Sequence, residues 1–309
     1  MAERQIERSV TTAARTAQYL VRRLTDPDEI CGLLEPRRVY AAYALGQLEP
    51  ALFPQTEWWL ARGTTGEALL LHSRGGLGNA LWAMGDLRAL DAALSLHPGP
   101  HEAFLTCEPQ HLPVMARHLR LTQAQSMMRL QVTAETFQPL KGQARRLSGQ
   151  DVRQVNRLYR SEGTPTFYAP AHIEQGVYFG IHLGERLVSV AGTHAVSPTH
   201  GIAVVGNVYT HPSHRNQGLG TAATDAVTEA LLRTCRQVVL SVEPANRAAV
   251  RVYEKLGYRQ EEGRLVEASA VRRDPIGLAS FLRRLVAGLR GHRFGGQLLE
   301  TTLDERKEP

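Results

Sequence analysis

The stretch Val204-Val205-Gly206-Asn207-Val208-Tyr209-Thr210-His211-Pro212-Ser213-His214-Arg215-Asn216-Gln217-Gly218-Leu219-Gly220 decides the fold. Its first part, IAVVGNVYTHP from Ile202, is an apolar strand stopped by Pro212. A glycine turn follows. Beyond it, Leu219, Ala222, Ala223, Ala226, Val227, Ala230 and Leu231 form the stripe of an amphipathic helix. A strand that enters a helix through a glycine turn leaves backbone N–H groups without intrahelical partners at the helix start. The helix dipole adds partial positive charge there. Such a terminus is an anion seat. Gly218 and Gly220 let backbone approach a bulky diphosphate, and Arg215 adds a permanent charge. Neither a Walker-type loop nor a dinucleotide G-x-G-x-x-G fingerprint is present.

Downstream, QVVLSVEP reads as a buried strand. ANRAAVRVYEKLGY then reads as a helix, with Asn246 near its start and Gly257 as its left-handed cap. GRLVEASAV reads as a last strand. Upstream, GVYFGIHLGERLVSVAGTHAV is a hairpin about Gly184-Glu185. Before it, Ser148 is the N-cap expected for a helix over SGQDVRQVNRLYRSEG.

These residues together resemble the GNAT superfamily of N-acetyltransferases, nearest to its FR47-like, glycine N-acyltransferase-like branch. The match rests on V-x-T-x-P at Val208–Pro212, R-x-x-G-x-G at Arg215–Gly220, then Asn246, Ala248, Ala249 and Tyr253-Glu254-Lys255-Leu256-Gly257-Tyr258. It covers roughly residues 140–270 and implies acetyl-CoA as co-substrate, with no metal. It also implies roles. The backbone of Val208, Tyr209 and Thr210 would hold the pantetheine arm, and the Val208 N–H would stabilise the oxyanion. The loop Arg215, Asn216, Gln217, Gly218, Leu219, Gly220 and Thr221 would bind the pyrophosphate, with Asn246 on the pantetheine side. Tyr253 would be the general acid toward the departing thiolate. Glu243, at the end of its strand, is the first candidate for the base, with His194 and His211 behind it and bulk water as an alternative.

The N-terminal part carries the short strand-like runs WWLAR, EALLLHS and AFLTC. They alternate with helical patterns in DLRALDAALSL and HLPVMARHL, and MMRLQV closes the series. Asp26-Pro27-Asp28-Glu29 starts a helix, and Pro36 divides the helical stretch that follows. The order parallels that of the second part. The expected fold is therefore α/β (α+β): tandem GNAT-like domains, each a mixed central sheet flanked by helices, the N-terminal copy degenerate. Ser73-Arg74-Gly75-Gly76-Leu77-Gly78 echoes the coenzyme loop, with a helix expected after it. No Asn…Tyr-x-Lys-x-Gly segment follows AFLTC, so no coenzyme is expected there. That copy would supply a wall of the acceptor site or a homodimer surface. The expected boundaries are a helical or loose extension over 1–25, domains over 26–135 and 136–272, and a tail over 273–309.

The 309 residues carry a net charge of +6, almost wholly through arginine; Lys141, Lys255 and Lys307 are the lysines. That balance suits an anionic ligand. No nucleic-acid motif accompanies it. No apolar run reaches the roughly 18–20 residues of a membrane span, and the first twenty residues lack a signal-like apolar stretch. A cytoplasmic protein acting on a small-molecule or peptide amine, without nucleic-acid or membrane partners, is expected. The cysteines Cys31, Cys107 and Cys235 are expected to be reduced.

Each assignment has a plainer rival. The glycine loop reads also as an ordinary turn, Tyr253 as a core aromatic, and Glu243 and His194 as surface residues. Arg247 and Arg251 read as a solvated face. Trp58-Trp59 read as core, and the basic tail FLRRLVAGLRGHRF as packing on its own domain. At the level of function the rival is a module that binds acetyl-CoA without catalysis. A tandem aminoacyltransferase fed by charged tRNA is a third reading, and the intact coenzyme loop argues against it.

Overall fold

The computed structural model describes residues 17–75, 78–140, 142–162, 167–290 and 298–303. In chain order the N-terminal half runs β1 (Ala17–Leu24), α1 (Pro27–Leu34), α2 (Ala42–Gly46), β2 (Thr56–Gly63), β3 (Glu67–Ser73), β4 (Ala80–Gly85), α3 (Leu87–Leu96), β5 (Glu102–Cys107), α4 (Leu112–His118) and β6 (Leu119–Thr133). The C-terminal half repeats that order: β7 (Arg145–Arg146), α5 (Val152–Tyr159), α6 (Pro170–Gln175), β8 (Phe179–Leu183), β9 (Arg186–Ser197), β10 (Ile202–Thr210), α7 (Leu219–Leu232), β11 (Gln237–Val242), α8 (Arg247–Lys255) and β12 (Arg259–Arg272). Two elements follow, α9 (Leu278–Arg290) and β13 (Leu298–Leu303). The fold is thus a tandem α/β repeat.

One sheet takes in both halves, in the order β13-β1-β2-β3-β4-β5-β12-β6-β11-β10-β9-β8-β7. Each half contains one parallel pair, β4 with β5 and β10 with β11. The centre of the sheet holds an exchange. β6, which closes the first half, pairs with β11 of the second, and β12, which closes the second, pairs with β5 of the first. β6 and β12 pair with each other between them.

Side chains alternate across a strand, so parity assigns each residue to a face. Met128, Leu130 and Val132 of β6, and Val238, Leu240 and Val242 of β11, face the core beneath α7 and α8. Val266, Ala268 and Ala270 of β12 face the core beneath α3 and α4. On the opposite face α1 and α2 pack on the first half and also on Ala195, Ile202, Val204 and Val239 of the second. α5 covers the rest of that face.

Two expectations need correction. Residues 17–24 are neither helix nor loose extension. They form β1, paired with β2, with Tyr19 and Val21 fully buried in the core on one face and Leu24 in the core on the other, an alternation that Leu20 and the adjacent Arg22 and Arg23 obscure in the sequence. The second concerns Ser73–Gly78. Gly76 and Leu77 lie outside the described residues. The stretch joins β3 to strand β4, not to a helix, so it is a hairpin connection and no counterpart of the Arg215–Gly220 loop. The expected cap at Ser148 is present, its backbone and hydroxyl both bonded to the Asp151 carboxylate. Trp58 and Trp59 are core residues, and all three cysteines are free.

Candidate functional site: a donor cleft and a chamber between the halves

β10 and β11 pair only from Ile202↔Gln237 to Val205↔Leu240. Beyond that point β10 runs on to Thr210 and β11 to Val242 without pairing, so the two strands open into a V. An irregularity in the β9–β10 register accompanies the opening, with Asn207 at φ 55°. Such a bulge turns a strand away from its neighbour. Val208, Tyr209 and Thr210 therefore form one arm of the V, paired with β9 on one edge and unpaired on the edge toward β11. Tyr209 is fixed through its hydroxyl by Ser161 and Glu162, and Thr210 through its hydroxyl by Ser189.

α7 starts at the head of this arm. Gly218, at φ 76°, is its N-cap and supplies no side-chain bond to the first turn. The first intrahelical bond runs from Ala222 N–H to Gly218 O, so the N–H groups of Leu219, Gly220 and Thr221 precede the ladder. A Cβ at Gly218 would meet nothing within 4 Å, so the space before these groups is open. A Cβ at Gly220 would stand 3.1 Å from Thr210 Oγ1, so that glycine lets the helix close on the strand. Asn216, at φ 62°, completes the left-handed turn. Gln217 is exposed. The Arg215 guanidinium folds back on Glu162 at 2.5 Å and over the Tyr209 ring.

Asn246 caps α8 by accepting from Ala249 N–H at 3.1 Å. Tyr253, on the same helix, has a buried ring set edge-on to Tyr258. Burial pushes its phenol up to about 12. The hydroxyl has no hydrogen-bond partner among the described residues, in contrast to Tyr258, whose hydroxyl bonds Thr228 at 2.8 Å.

On the other side of the sheet, at the apex of the V, lies a chamber of about 380 Å³ lined by both halves. Arg129 of β6, Ser241 of β11 and Glu267 of β12 line it; the core-facing residues on either side of each place all three on this face. His194 of β9 lines it too. The His194 ring lies over Gly206, where a Cβ would stand 2.0 Å from it. The His194 side chain is exposed, yet the surrounding protein and then the Arg129 charge push its pKa below the ordinary imidazole value. Burial raises the Glu267 carboxyl, with Arg129 and Ser241 opposing. Arg129 is 5% exposed and donates to Ser241 Oγ at 2.8 Å and to the Tyr40 carbonyl at 3.2 Å.

Glu243 lies one residue past the end of β11 and is not among the residues lining the chamber. His211 caps the turn after β10, bonded to Ser213 and Arg186, and is also absent from the lining. Of the expected bases, the structure brings only His194 to the chamber. Arg129 and Glu267 were missed in the sequence, although each is flanked on both sides by apolar residues, in MMRLQV and in LVEASAV. A charge removed from water is costly unless paired or hydrogen-bonded, and such charges gather at functional sites.

The first half shows how its equivalent cleft is closed. β4 runs into α3 through Gly85-Asp86, with no glycine loop. The Asp86 carboxylate accepts from the Arg88 and Ala89 N–H groups, so the helix start already holds an anion of its own chain. The arm of β4 is taken as well: Tyr40 donates to the Ala83 carbonyl at 2.6 Å, and His111 Nε2 bonds the Gly85 carbonyl at 2.9 Å.

Comparison with known proteins agrees with this geometry. Residues 149–258 match the family model of the acetyltransferase (GNAT) family. No curated protein matches the chain. Among solved structures, a Drosophila protein is similar over 81% of this chain and 98% of its own, at 12% identity and a TM-score of 0.59. A GCN5-related N-acetyltransferase from Sphaerobacter thermophilus covers 82% and 95%, at 15% identity and 0.49. A tandem GNAT protein from the clavulanic acid biosynthesis pathway covers 82% and 98%, at 15% and 0.47. At these identities the likeness concerns the fold alone. No helix among the described residues is long and apolar enough to cross a membrane. The matched segment holds the open V, the start of α7 without a side-chain cap and the Asn246–Tyr258 helix, so over residues 149–258 the chain is similar to the acetyltransferase (GNAT) family.

Proposed function

We propose that the chain transfers an acyl group from coenzyme A to a primary amine, the donor entering between β10 and β11 and the amine waiting in the chamber. One observation carries this reading: the V between the two strands connects an uncapped helix N-terminus on one side with a walled polar chamber on the other. The residues fit the donor. The space before the Leu219–Thr221 N–H groups is open, and the edge of Val208–Thr210 toward β11, which does not pair with it, offers strand backbone for a pantetheine chain. Acetyl-CoA supplies an activated thioester when bound.

The chain's own residues then have these tasks. The Val208 N–H donates to the carbonyl oxygen as negative charge develops. Tyr253 donates a hydrogen bond to the sulfur. With a phenol at about 12, complete transfer to a thiolate whose acid has a pKa near 8.5 is uphill. Tyr253 therefore stabilises the leaving sulfur and passes on a proton that the amine has released. The base is reassigned to Glu267. A base works best with a pKa near the working pH; burial moves this carboxyl upward, and the protein around His194 moves that imidazole downward. His194, neutral, orients the amine. The incoming ammonium loses two protons in all: one ends on the thiol, the other leaves through Glu267. The C–N bond forms as the C–S bond breaks.

The test is free-thiol release from purified protein with acetyl-CoA and a panel of primary amines. Turnover of at least one amine is expected. Tight acetyl-CoA binding with turnover of none would make the chain a coenzyme-sensing module instead.

A further inference from the structure

Helix α9 turns its apolar face to solvent. Leu278, Phe281, Leu282 and Leu285 stand at i, i+3, i+4 and i+7, the spacing of one helical face. A surface helix ordinarily buries such a stripe. Here the four side chains are 48% to 54% exposed, with Val286 beside them at 47% and Ile276 of the preceding turn at 82%. Of the eleven exposed large apolar residues among the described ones, these are six, so they form a patch and not a scatter. The opposite face holds the helix to the protein. Ser280 is buried, its N–H bonded to the Asp274 carboxylate and its hydroxyl to the Gly277 carbonyl. Arg283 donates to the Ser95 carbonyl at 3.3 Å, and Arg284 donates to the Leu96 carbonyl. Those carbonyls end α3, where the helix dipole favours a cation. The expectation that this basic segment packs on its own domain thus holds for its arginines and fails for its apolar stripe.

Charge decides what covers the stripe. From Pro275 to Leu299 the chain carries four arginines and no acid. A cavity of about 420 Å³ adjoins the stripe, lined by Ile276, Leu278 and Phe281 and by Arg74, Arg272 and Arg284. Its one lining carboxylate, Glu57, is already paired with Arg74 at 2.9 Å. Arg272 and Arg284 donate to backbone carbonyls, which leave their charges in place. An apolar face bordered by guanidinium groups is complementary to a surface that is anionic outside and apolar within. A second copy of the chain would instead set the same arginines against one another. We propose that α9 and Ile276 dock this protein on an anionic lipid bilayer, the stripe entering the headgroup–acyl boundary and lipid phosphates meeting the arginines of the adjoining cavity. With 13 residues, α9 is too short to span a bilayer, which takes about 20; it lies on the surface. The proposal does not depend on the transferase reading.

The test is co-sedimentation of the full-length protein with two kinds of vesicle, phosphatidylcholine alone and phosphatidylcholine mixed with phosphatidylserine. Binding to the anionic vesicles should be at least about ten-fold stronger and should weaken as salt is raised. The double variant Phe281→Ser, Leu285→Ser should lose about ten-fold or more of that binding. It should keep the wild-type unfolding temperature, because both side chains are already half in solvent. If the double variant fails to fold, Ile276→Gln, outside the helix and 82% exposed, replaces it, with a loss of about three-fold expected. No binding to either vesicle, equal binding to both, or a variant that folds and binds as the wild type does would each overturn the proposal. Sedimentation velocity without lipid reports the competing occupant. A wild-type dimer that the double variant converts to monomer would also overturn the proposal and assign the stripe to a second copy of the chain.

Discussion

Glu267→Gln isolates the proposed base. The substitution keeps the shape of the side chain and removes its proton affinity. General base catalysis by a positioned group contributes about 10²–10⁴-fold, or roughly 3–5 kcal/mol of barrier. The variant should therefore lose at least about 100-fold in kcat/KM, and the acidic limb of its pH–rate profile should flatten. Stability should move the other way. Burial raises the Glu267 carboxyl above its ordinary value, so folding favours the protonated form. Its contribution is complete below the unfolded-state pKa and is lost as pH rises through the folded one. Glutamine carries no such dependence. The Tm difference, variant minus wild type, should thus grow from pH 5 to pH 8. The assay pairs a thiol-release pH profile with thermal unfolding at the same pH values, and acetyl-CoA calorimetry reports that the donor cleft is intact. Activity within about three-fold of wild type, with an unchanged acidic limb, would refute the assignment and return the role to His194 or water.

Other perturbations address the rest of the site. Tyr253→Phe should lower kcat by about ten-fold or more and spare acetyl-CoA affinity, because the hydroxyl has no structural bond to lose among the described residues; full activity would remove it from the reaction. Gly218→Val puts a branched side chain at φ 76° and into the open space before α7. Calorimetry should show coenzyme binding abolished, and an unchanged Kd would place the pyrophosphate elsewhere. Gly257→Ala tests the last glycine of the family-like segment. At φ 85° its added Cβ would stand 1.9 Å from the Thr136 carbonyl oxygen, where the Gln138 N–H bonds the Leu256 carbonyl. Denaturant unfolding should show a loss of about 3 kcal/mol or more, beyond the ~1 kcal/mol ordinary for a left-handed alanine; a loss under 1 kcal/mol would show that the linker simply moves.

The strand, glycine turn and helix start of this protein were readable in the sequence because their determinants are local. Gly218, Asn216 and the helical stripe from Leu219 to Leu231 sit within one strand-turn-helix unit. Their backbone requirements do not depend on what packs around them. The Asn246 cap and Gly257 belong to the same kind of short-range grammar. The repeat was also visible, in the order of apolar runs.

Where that grammar was read by likeness instead of by geometry, it misled. Ser73–Gly78 looked like a second glycine loop, yet it joins two strands. The true counterpart, Gly85-Asp86, carries a carboxylate where an anion would sit. The acceptor side depended on tertiary structure throughout. Arg129 and Glu267 belong to different halves and were separately unremarkable, each a charge amid apolar neighbours. They line one chamber because β6 and β12 are exchanged and pair with each other. Strand order within a sheet depends on which faces and edges bury most surface together, and no local pattern encodes it. The sequence by itself therefore determined the glycine turn and the helix start whose N–H groups lack intrahelical partners; only the exchanged strands, by lining one chamber with Arg129 of one half and Glu267 of the other, decided what lies on the opposite face.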